Sequence, residues 1–187
     1  MNKKFTARFE ELSKELKRLG AGDFKHLNGS LISHLQNTRE ILVHWGASAE
    51  LCDAGLFHAA YGSAGFSKSM LGLSQREKIA SLIGHETEKL VYLYCSCERA
   101  YVFPKLGTSK HIEFKDRFVG STFTLSNAQA KLFCELTVAN ELELVYASKA
   151  FKVEHGEGLF GLFESMQGYL STAAIQAYKL ELSPKNN

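Results

Sequence analysis

Apolar residues recur at helical spacing over most of this chain, and this periodicity restricts its fold more than any other feature. Near the amino terminus, steps of four and three residues place five apolar side chains on one stripe: Phe5, Phe9, Leu12, Leu16 and Leu19. Only two prolines, Pro104 and Pro184, occur among the 187 residues. Because a period of 3.6 residues is typical of amphipathic helices, the sequence predicts an all-α fold.

The same pattern predicts about seven helices in a single domain spanning residues 1–187. The first lies within residues 1–20 and ends at Gly20. The second runs over residues 30–45, with Trp45 among its inward side chains, and the third over residues 49–58. Ser74 and Glu77 have the spacing of a capping box that opens a fourth helix, and a fifth follows Gly84.

The second half of the chain is less uniform. Residues 98–125 are the least regular part, and residues 112–125 form either a small β-hairpin or an ordered loop. Ser126 and Gln129 have the spacing of a second capping box, which opens a long helix to about residue 150. Five of its side chains are expected to face inward: Leu132, Leu136, Ala139, Leu142 and Tyr146. The stretch HGEGLFG predicts a break, after which residues 159–180 form C-terminal helices.

Charge and composition limit the partners. The formal net charge is only +2, and Lys and Arg alternate with Glu, so we expect no nucleic-acid interface. The first twenty residues have no apolar core typical of a signal peptide, and no apolar stretch approaches the length of a membrane span. Four cysteines, of which only Cys95 and Cys97 are close and at a spacing typical of neither a redox nor a zinc motif, predict reduced thiols in a cytoplasmic protein with no membrane partner. Cys52, Cys95 and Cys134 fall at apolar helical positions, which predicts core residues.

Two inward-facing histidines are the main candidates for chemistry. His34 lies in the middle of the second helix, on the stripe of Ile41 and Trp45, and His58 ends the third helix. A buried imidazole needs a partner, because burying it unpaired costs free energy. Two helices that each offer one inward histidine can place both rings on a metal ion, although a core histidine satisfied by a hydrogen bond is the commoner arrangement.

The stretch that carries both histidines resembles a known family. SHLQNTREILVHWGASAELCDAGLFHAAYGSAG is similar to the opening of the HD superfamily of helical metal-dependent phosphohydrolases, nearest to its alarmone-hydrolase branch. REKIASLIGHETEKLVYLY is similar to the helix pair that follows in those enzymes. CELTVANELELV is similar to their last metal-binding helix, where an ADRL motif supplies an aspartate. The resemblance covers about residues 26–148 and implies an HD-like helical bundle, a divalent metal ion and hydrolysis of phosphate esters.

At the metal-binding positions the chain keeps the histidines of this pattern and departs from its acids. His34 and His58, 24 residues apart, fall at the two histidine positions. Ala59 stands where the family has the aspartate of its HD pair, and Asn140 stands where its last aspartate would be. The resemblance therefore implies His34, His58 and Asn140 as metal ligands. A neutral amide is a weak ligand for a divalent cation, so the inherited chemistry is either lost or changed.

Two further side chains extend the candidate metal site. Glu143 lies one turn beyond Asn140 and has the spacing to reach inward as a catalytic acid or base. His26 supplies a third imidazole if its loop folds back. A set of His26, His34 and His58 suits zinc or iron, with open positions for substrate.

Tyr61 and Arg99 are the remaining catalytic candidates. Tyr61 follows His58 by three residues in a glycine-containing turn, where its hydroxyl is either a donor to substrate or incidental to a ring that packs across the helix end. Arg99 lies near a helix end, where it binds an anionic substrate group, caps the helix dipole or pairs with Glu98.

Three functions remain open from the sequence, and the simplest is a helical interaction domain whose buried histidines form no site. The first is an HD-like enzyme with a remodelled active site that acts on a small molecule in a helical cavity, with one divalent metal ion (iron, zinc or manganese) or none. The alternative is a non-catalytic module that has lost the metal site and binds a small molecule or a protein. The apolar stretch YVFPKLG and two phenylalanines, Phe160 and Phe163, leave room for a homodimer surface.

Overall fold

The computed structural model describes residues 3–21, 25–26, 29–65 and 68–184, and the side chains of residues 7–21, 30–65 and 68–184. Within those ranges the chain forms nine α-helices: α1 Lys3–Arg18, α2 Leu31–His44, α3 Ala49–Phe57, α4 Arg76–Ile83, α5 His85–Ser96, α6 Arg99–Val102, α7 Asn127–Ala147, α8 Lys149–Met166 and α9 Thr172–Leu182. None of these helices is long and apolar enough to cross a membrane. The predicted helical fold is confirmed.

Short antiparallel strands complete the fold. Strands β3 Glu113–Lys115 and β4 Thr122–Thr124 pair with Phe114 opposite Phe123, so the hairpin alternative for residues 112–125 is confirmed. A second pair that the sequence did not predict joins β1 Lys25–His26 to β2 Gly29–Ser30, directly before α2.

Serine caps begin most of the long helices. The side chain of Ser126 accepts from the backbone N–H of Gln129 at 3.2 Å, and the side chain of Gln129 accepts from the backbone N–H of Ser126 at 3.0 Å. The second predicted capping box is therefore confirmed. The predicted box at Ser74 and Glu77 is wrong. There a 3₁₀ turn over Leu73–Gln75 precedes α4, and Gln75 accepts from the backbone of Gly72 instead.

The predicted break at HGEGLFG is also wrong. Helix α7 ends at Ala147, and Ser148 caps α8, which continues through the glycines to Met166. A glycine inside a helix costs only about 1 kcal/mol relative to alanine, and packing offsets that cost. Gly156 is buried, and a Cβ atom at this position would lie 3.5 Å from the Leu182 side chain of α9.

Helix α7 lies at the centre of the fold, where it packs against α2, α3, α5, α8 and α9. Its Leu136, Ala139 and Leu142 are fully buried, as predicted. Leu132 and Tyr146 were expected inward as well, but they are 36% and 53% exposed. They lie 14 residues apart, close to four whole turns, so they share one edge of the helix, and that edge is partly open to solvent. Trp45 is half-buried at the end of α2.

Candidate functional site

The two predicted histidines meet in the interior. His34 projects from the middle of α2, and His58 caps the C-terminus of α3. Their Nε2 atoms lie 3.2 Å apart, and the two rings meet edge to face. Asn140 of α7 places its Oδ1 atom 3.0 Å from His34 Nε2. These three side chains and Glu143, all at least 94% buried, are called the histidine cluster below.

A close approach of α2 and α3 brings the histidines together. A Cβ atom at Gly55 of α3 would lie 2.6 Å from the Leu42 side chain of α2, so a larger residue there would require Leu42 to move. The carbonyl of Gly55 also accepts a hydrogen bond of 2.7 Å from His58 Nδ1. Gly55 thus sets the helix spacing and holds one of the two rings.

Hydrogen bonds fix which ring nitrogens face each other. A carbonyl oxygen only accepts, so His58 Nδ1 carries a hydrogen and its Nε2 bears the lone pair in the neutral ring. Glu143 accepts a short hydrogen bond from His34 Nδ1, which gives His34 the same tautomer. With both rings neutral, two nitrogen lone pairs and one amide oxygen then converge. A cation at this point, either a second proton on His34 or a metal ion, would stabilise the three converging atoms.

Glu143 reaches the cluster from α7, one turn beyond Asn140, as its spacing predicts. Its Oε2 accepts from His34, and its Oε1 accepts from Asn37 Nδ2 at 3.0 Å. The carboxylate therefore orients the His34 ring rather than facing the other histidine. Sequence reasoning missed Asn37, although its position three residues after His34 puts both on one face of α2.

Asn140 is oriented by its neighbour Glu141. The Asn140 Nδ2 donates to Glu141 Oε1 at 2.9 Å, and the same oxygen accepts from Arg99 Nη1 at 2.7 Å. Arg99 Nη2 donates to the hydroxyl of Tyr94 at 2.9 Å. The Tyr94 ring in turn packs edge-on against His58, with ring centroids 5.4 Å apart. Arg99 pairs with Glu141, so its expected pairing with Glu98 is wrong.

A surface cleft of about 400 Å³ adjoins the cluster on this side. Arg99 and Glu141 form its polar floor, and Phe103, Phe151 and Leu162 contribute to its apolar wall. Only 7% of the Glu141 side chain and 22% of the Arg99 side chain are exposed. Glu141 therefore links the two sites, because it lines the cleft and accepts a hydrogen bond from Asn140 of the histidine cluster.

Tyr61 points away from the histidines. Its hydroxyl donates to Glu88 Oε1 at 2.8 Å, and Arg76 donates to both oxygens of Glu88 at 2.6 Å. Arg76 stacks on the ring of Tyr92, whose hydroxyl donates to Asp116 at 2.8 Å. These five residues are called the Arg76 cluster below. Burial, and next the bond to Glu88, raise the pKa of Tyr61 well above its usual range, so this hydroxyl is a poor proton donor.

His26 is the third predicted imidazole. The backbone of His26 belongs to β1, but its side chain lies outside the described residues. Among the residues whose side chains are described, no group of three His, Cys, Asp or Glu has the arrangement of a metal site. In the histidine cluster the converging atoms come from two imidazoles and one amide, because Glu143 faces the far side of the His34 ring.

The cysteines form part of the core, as predicted for Cys52, Cys95 and Cys134. All four are buried free thiols: Cys52, Cys95, Cys97 and Cys134. Cys95 donates to the backbone oxygen of His58 at 3.0 Å, and burial raises its pKa to about 12. A thiol with so high a pKa is a weak nucleophile, which fits a packing role.

Comparison with known proteins gives one match. Residues 15–99, which are 85 of the 187 residues, match the family model of a domain of unknown function, DUF6817. The matched part contains His34 and His58, whereas Asn140, Glu141 and Glu143 lie beyond it. No curated protein and no solved structure matches the chain.

Proposed function

We propose that this protein is an HD-like enzyme with a remodelled active site that acts on a small molecule. In this proposal His34, His58 and Asn140 hold one divalent metal ion, and the cleft beside Arg99 receives the substrate. The convergence of two imidazole nitrogens and one amide oxygen in the interior is the observation that carries the proposal.

The donor atoms suit one borderline metal ion. Imidazole nitrogens bind zinc, iron and manganese, and zinc lies about 2.0–2.1 Å from each nitrogen, which keeps two tetrahedral ligands about 3.3 Å apart. The observed separations of 3.2 and 3.0 Å are close to that value. Proteins also orient metal-binding imidazoles by a carboxylate or a carbonyl on the other nitrogen. Glu143 and the carbonyl of Gly55 occupy those positions here.

The remaining residues supply binding and orientation. A bound divalent ion contributes Lewis acidity toward a phosphate or carbonyl oxygen. Glu143 holds the proton of His34 at Nδ1 and so keeps Nε2 directed inward. Phe103 and Phe151 give the cleft an apolar wall, which fits the body of a small organic molecule.

A metal-free binding module is the second candidate. The distances that suit a metal ion also suit a hydrogen bond: a second proton on His34 lets its Nε2 donate to Asn140 Oδ1 or His58 Nε2. That arrangement satisfies the cluster without any metal. In this case the cleft serves for ligand binding alone.

Metal content separates the two candidates. We expect about one metal ion per chain in protein purified without a tag, measured by elemental analysis, and none in His34→Ala or His58→Ala. His85→Ala is the matched control, because this imidazole side chain is 70% exposed on the surface. Folded wild-type protein that takes up no zinc, iron or manganese would exclude the metal enzyme. If metal is retained, phosphate esters are the first substrates to screen.

A further inference from the structure

Asn140 is held at both ends of its carboxamide. The oxygen faces His34 Nε2 at 3.0 Å, and the nitrogen donates to Glu141 Oε1 at 2.9 Å. The two ends are not interchangeable, because a carboxylate accepts hydrogen bonds and donates none. Turning the amide over would set its oxygen against the Glu141 carboxylate. Glu141 therefore decides which end of Asn140 faces the histidines.

Glu141 is itself fixed from the cleft side. The carboxylate oxygen that accepts from Asn140 also accepts from Arg99 Nη1 at 2.7 Å. Arg99 is anchored in turn by its bond to Tyr94, which packs on His58. The chain of contacts thus leaves the histidine cluster at Asn140 and returns to it at His58.

We infer that Glu141, held by Arg99, is a positioning residue that keeps Asn140 Oδ1 directed at the histidine nitrogens. Position 140 then requires an amide and not the aspartate of the HD pattern, because an aspartate would face the Glu141 carboxylate at about the same 2.9 Å. Arg99 acts through Glu141 and need not touch substrate. The functional consequence rests on the proposed metal site, whereas the orientation of Asn140 does not.

Ring nitrogens report the orientation directly. In 15N-labelled protein at one pH, without metal, we expect Glu141→Ala to shift the ring 15N signals of His34, because the amide is no longer held. Glu141→Gln keeps an acceptor oxygen and should restore signals close to wild type. Glu154→Ala is the control, because this side chain lines the same cleft but is 74% exposed and contacts His155. Unchanged His34 signals in a folded Glu141→Ala protein would overturn the inference.

If Glu141→Ala does not fold, Arg99→Lys gives the same test. A lysine keeps the positive charge but cannot bond Glu141 and Tyr94 in the fixed fork of a guanidinium. We expect the His34 signals to shift in the same direction, and unshifted signals would contradict the role of Arg99.

An exchange of donor and acceptor tests the contact a second way. Asn140→Asp should lower the unfolding temperature of metal-free protein by about 4 °C, since two carboxylates then meet. The double variant Asn140→Asp/Glu141→Gln should regain part of that loss, because a neutral glutamine removes the repulsion between the two carboxylates. Equal unfolding temperatures for wild type and Asn140→Asp would overturn the contact.

Metal affinity links the inference to function. For wild type and Glu141→Ala titrated with zinc, we expect Kd to rise by about 10- to 100-fold, the usual effect of losing a residue that orients a ligand. No zinc binding by wild type would overturn the proposed metal site alone. The His34 ring 15N signals and the Asn140→Asp variants still test the orientation of Asn140 without metal. Equal Kd values for the two proteins would overturn the positioning role.

Discussion

The histidine cluster is buried and the Arg76 cluster is partly buried, and both are polar and built across several helices, yet they differ in how their groups pair. In the Arg76 cluster the carboxylate of Glu88 accepts hydrogen bonds from two strong donors, Arg76 and Tyr61. Donors and acceptors match, and opposite charges meet. In the histidine cluster two imidazole nitrogens and one amide oxygen converge, and a proton or a metal ion between them would stabilise the arrangement.

Burial of polar groups therefore does not by itself indicate a functional site. A closed set of partners such as the Arg76 cluster stabilises one packing of the helices, and removing a member leaves another member unpaired. The histidine cluster differs, because binding of a proton or a metal ion would change its stability. This contrast assigns Tyr61 and Glu88 to structure and His34, His58 and Asn140 to the candidate site.

Removing Glu88 should have the largest effect on stability. Glu88→Ala leaves the buried hydroxyl of Tyr61 and the guanidinium of Arg76 without their shared acceptor. We expect the free energy of unfolding to fall by about 3 kcal/mol, the lower end of the range for a broken buried pair, because the Arg76 side chain is 36% exposed and can be rehydrated. Chemical denaturation measures this loss. Metal content should not change, and a loss of metal would remove the distinction between the clusters.

Metal binding should stabilise the protein through the histidine cluster alone. At a free zinc concentration of 100 times Kd, the free energy of unfolding should rise by about 2.7 kcal/mol in wild type. His58→Ala should show no rise, whereas Tyr61→Phe should show the full effect. The measurement is thermal or chemical unfolding with and without zinc. A zinc effect that survives in His58→Ala would place the metal elsewhere.

Gly55→Ala tests the spacing of α2 and α3. The added methyl group would meet the Leu42 side chain at 2.6 Å, and we expect a loss of about 2 kcal/mol from overpacking. The histidines should also move apart, so zinc affinity should fall. Gly158→Ala is the matched control, because nothing lies within 4 Å of its added Cβ in α8. That control should gain about 0.5–1 kcal/mol.

Tyr61→Phe should give the smallest change. It removes one hydrogen bond to Glu88, while Arg76 continues to bind both carboxylate oxygens. We expect a loss of about 1 kcal/mol in chemical denaturation and no change in any activity found. Tyr146→Phe, at a hydroxyl-bearing side chain that is 53% exposed, should leave stability unchanged. An abolished activity with normal stability would return Tyr61 to the catalytic site.

Sequence reasoning was most successful where the signal is local. The 3.6-residue period identified most of the helices, about seven where the described residues form nine, and the spacing of Ser126 and Gln129 identified the start of α7. Spacing also put Glu143 on the same side of α7 as Asn140. It did not reveal the partner of Tyr61, because Glu88 is 27 residues away and belongs to another helix. Nor did it allow for α8, where contact with α9 outweighs the low helix propensity of glycine.

The sequence by itself determined that the chain is helical and that two histidines lie on inward faces, since these follow from periodicity along single helices. Only the tertiary structure decided which polar groups meet. The approach of α2 to α3 at Gly55 set the distance between the imidazoles, and the bond from Asn140 to Glu141 set the direction of the amide. Both depend on contacts between residues or helices whose relative placement no periodicity specifies, and hydrogen bonding is sensitive to placement within a fraction of an ångström.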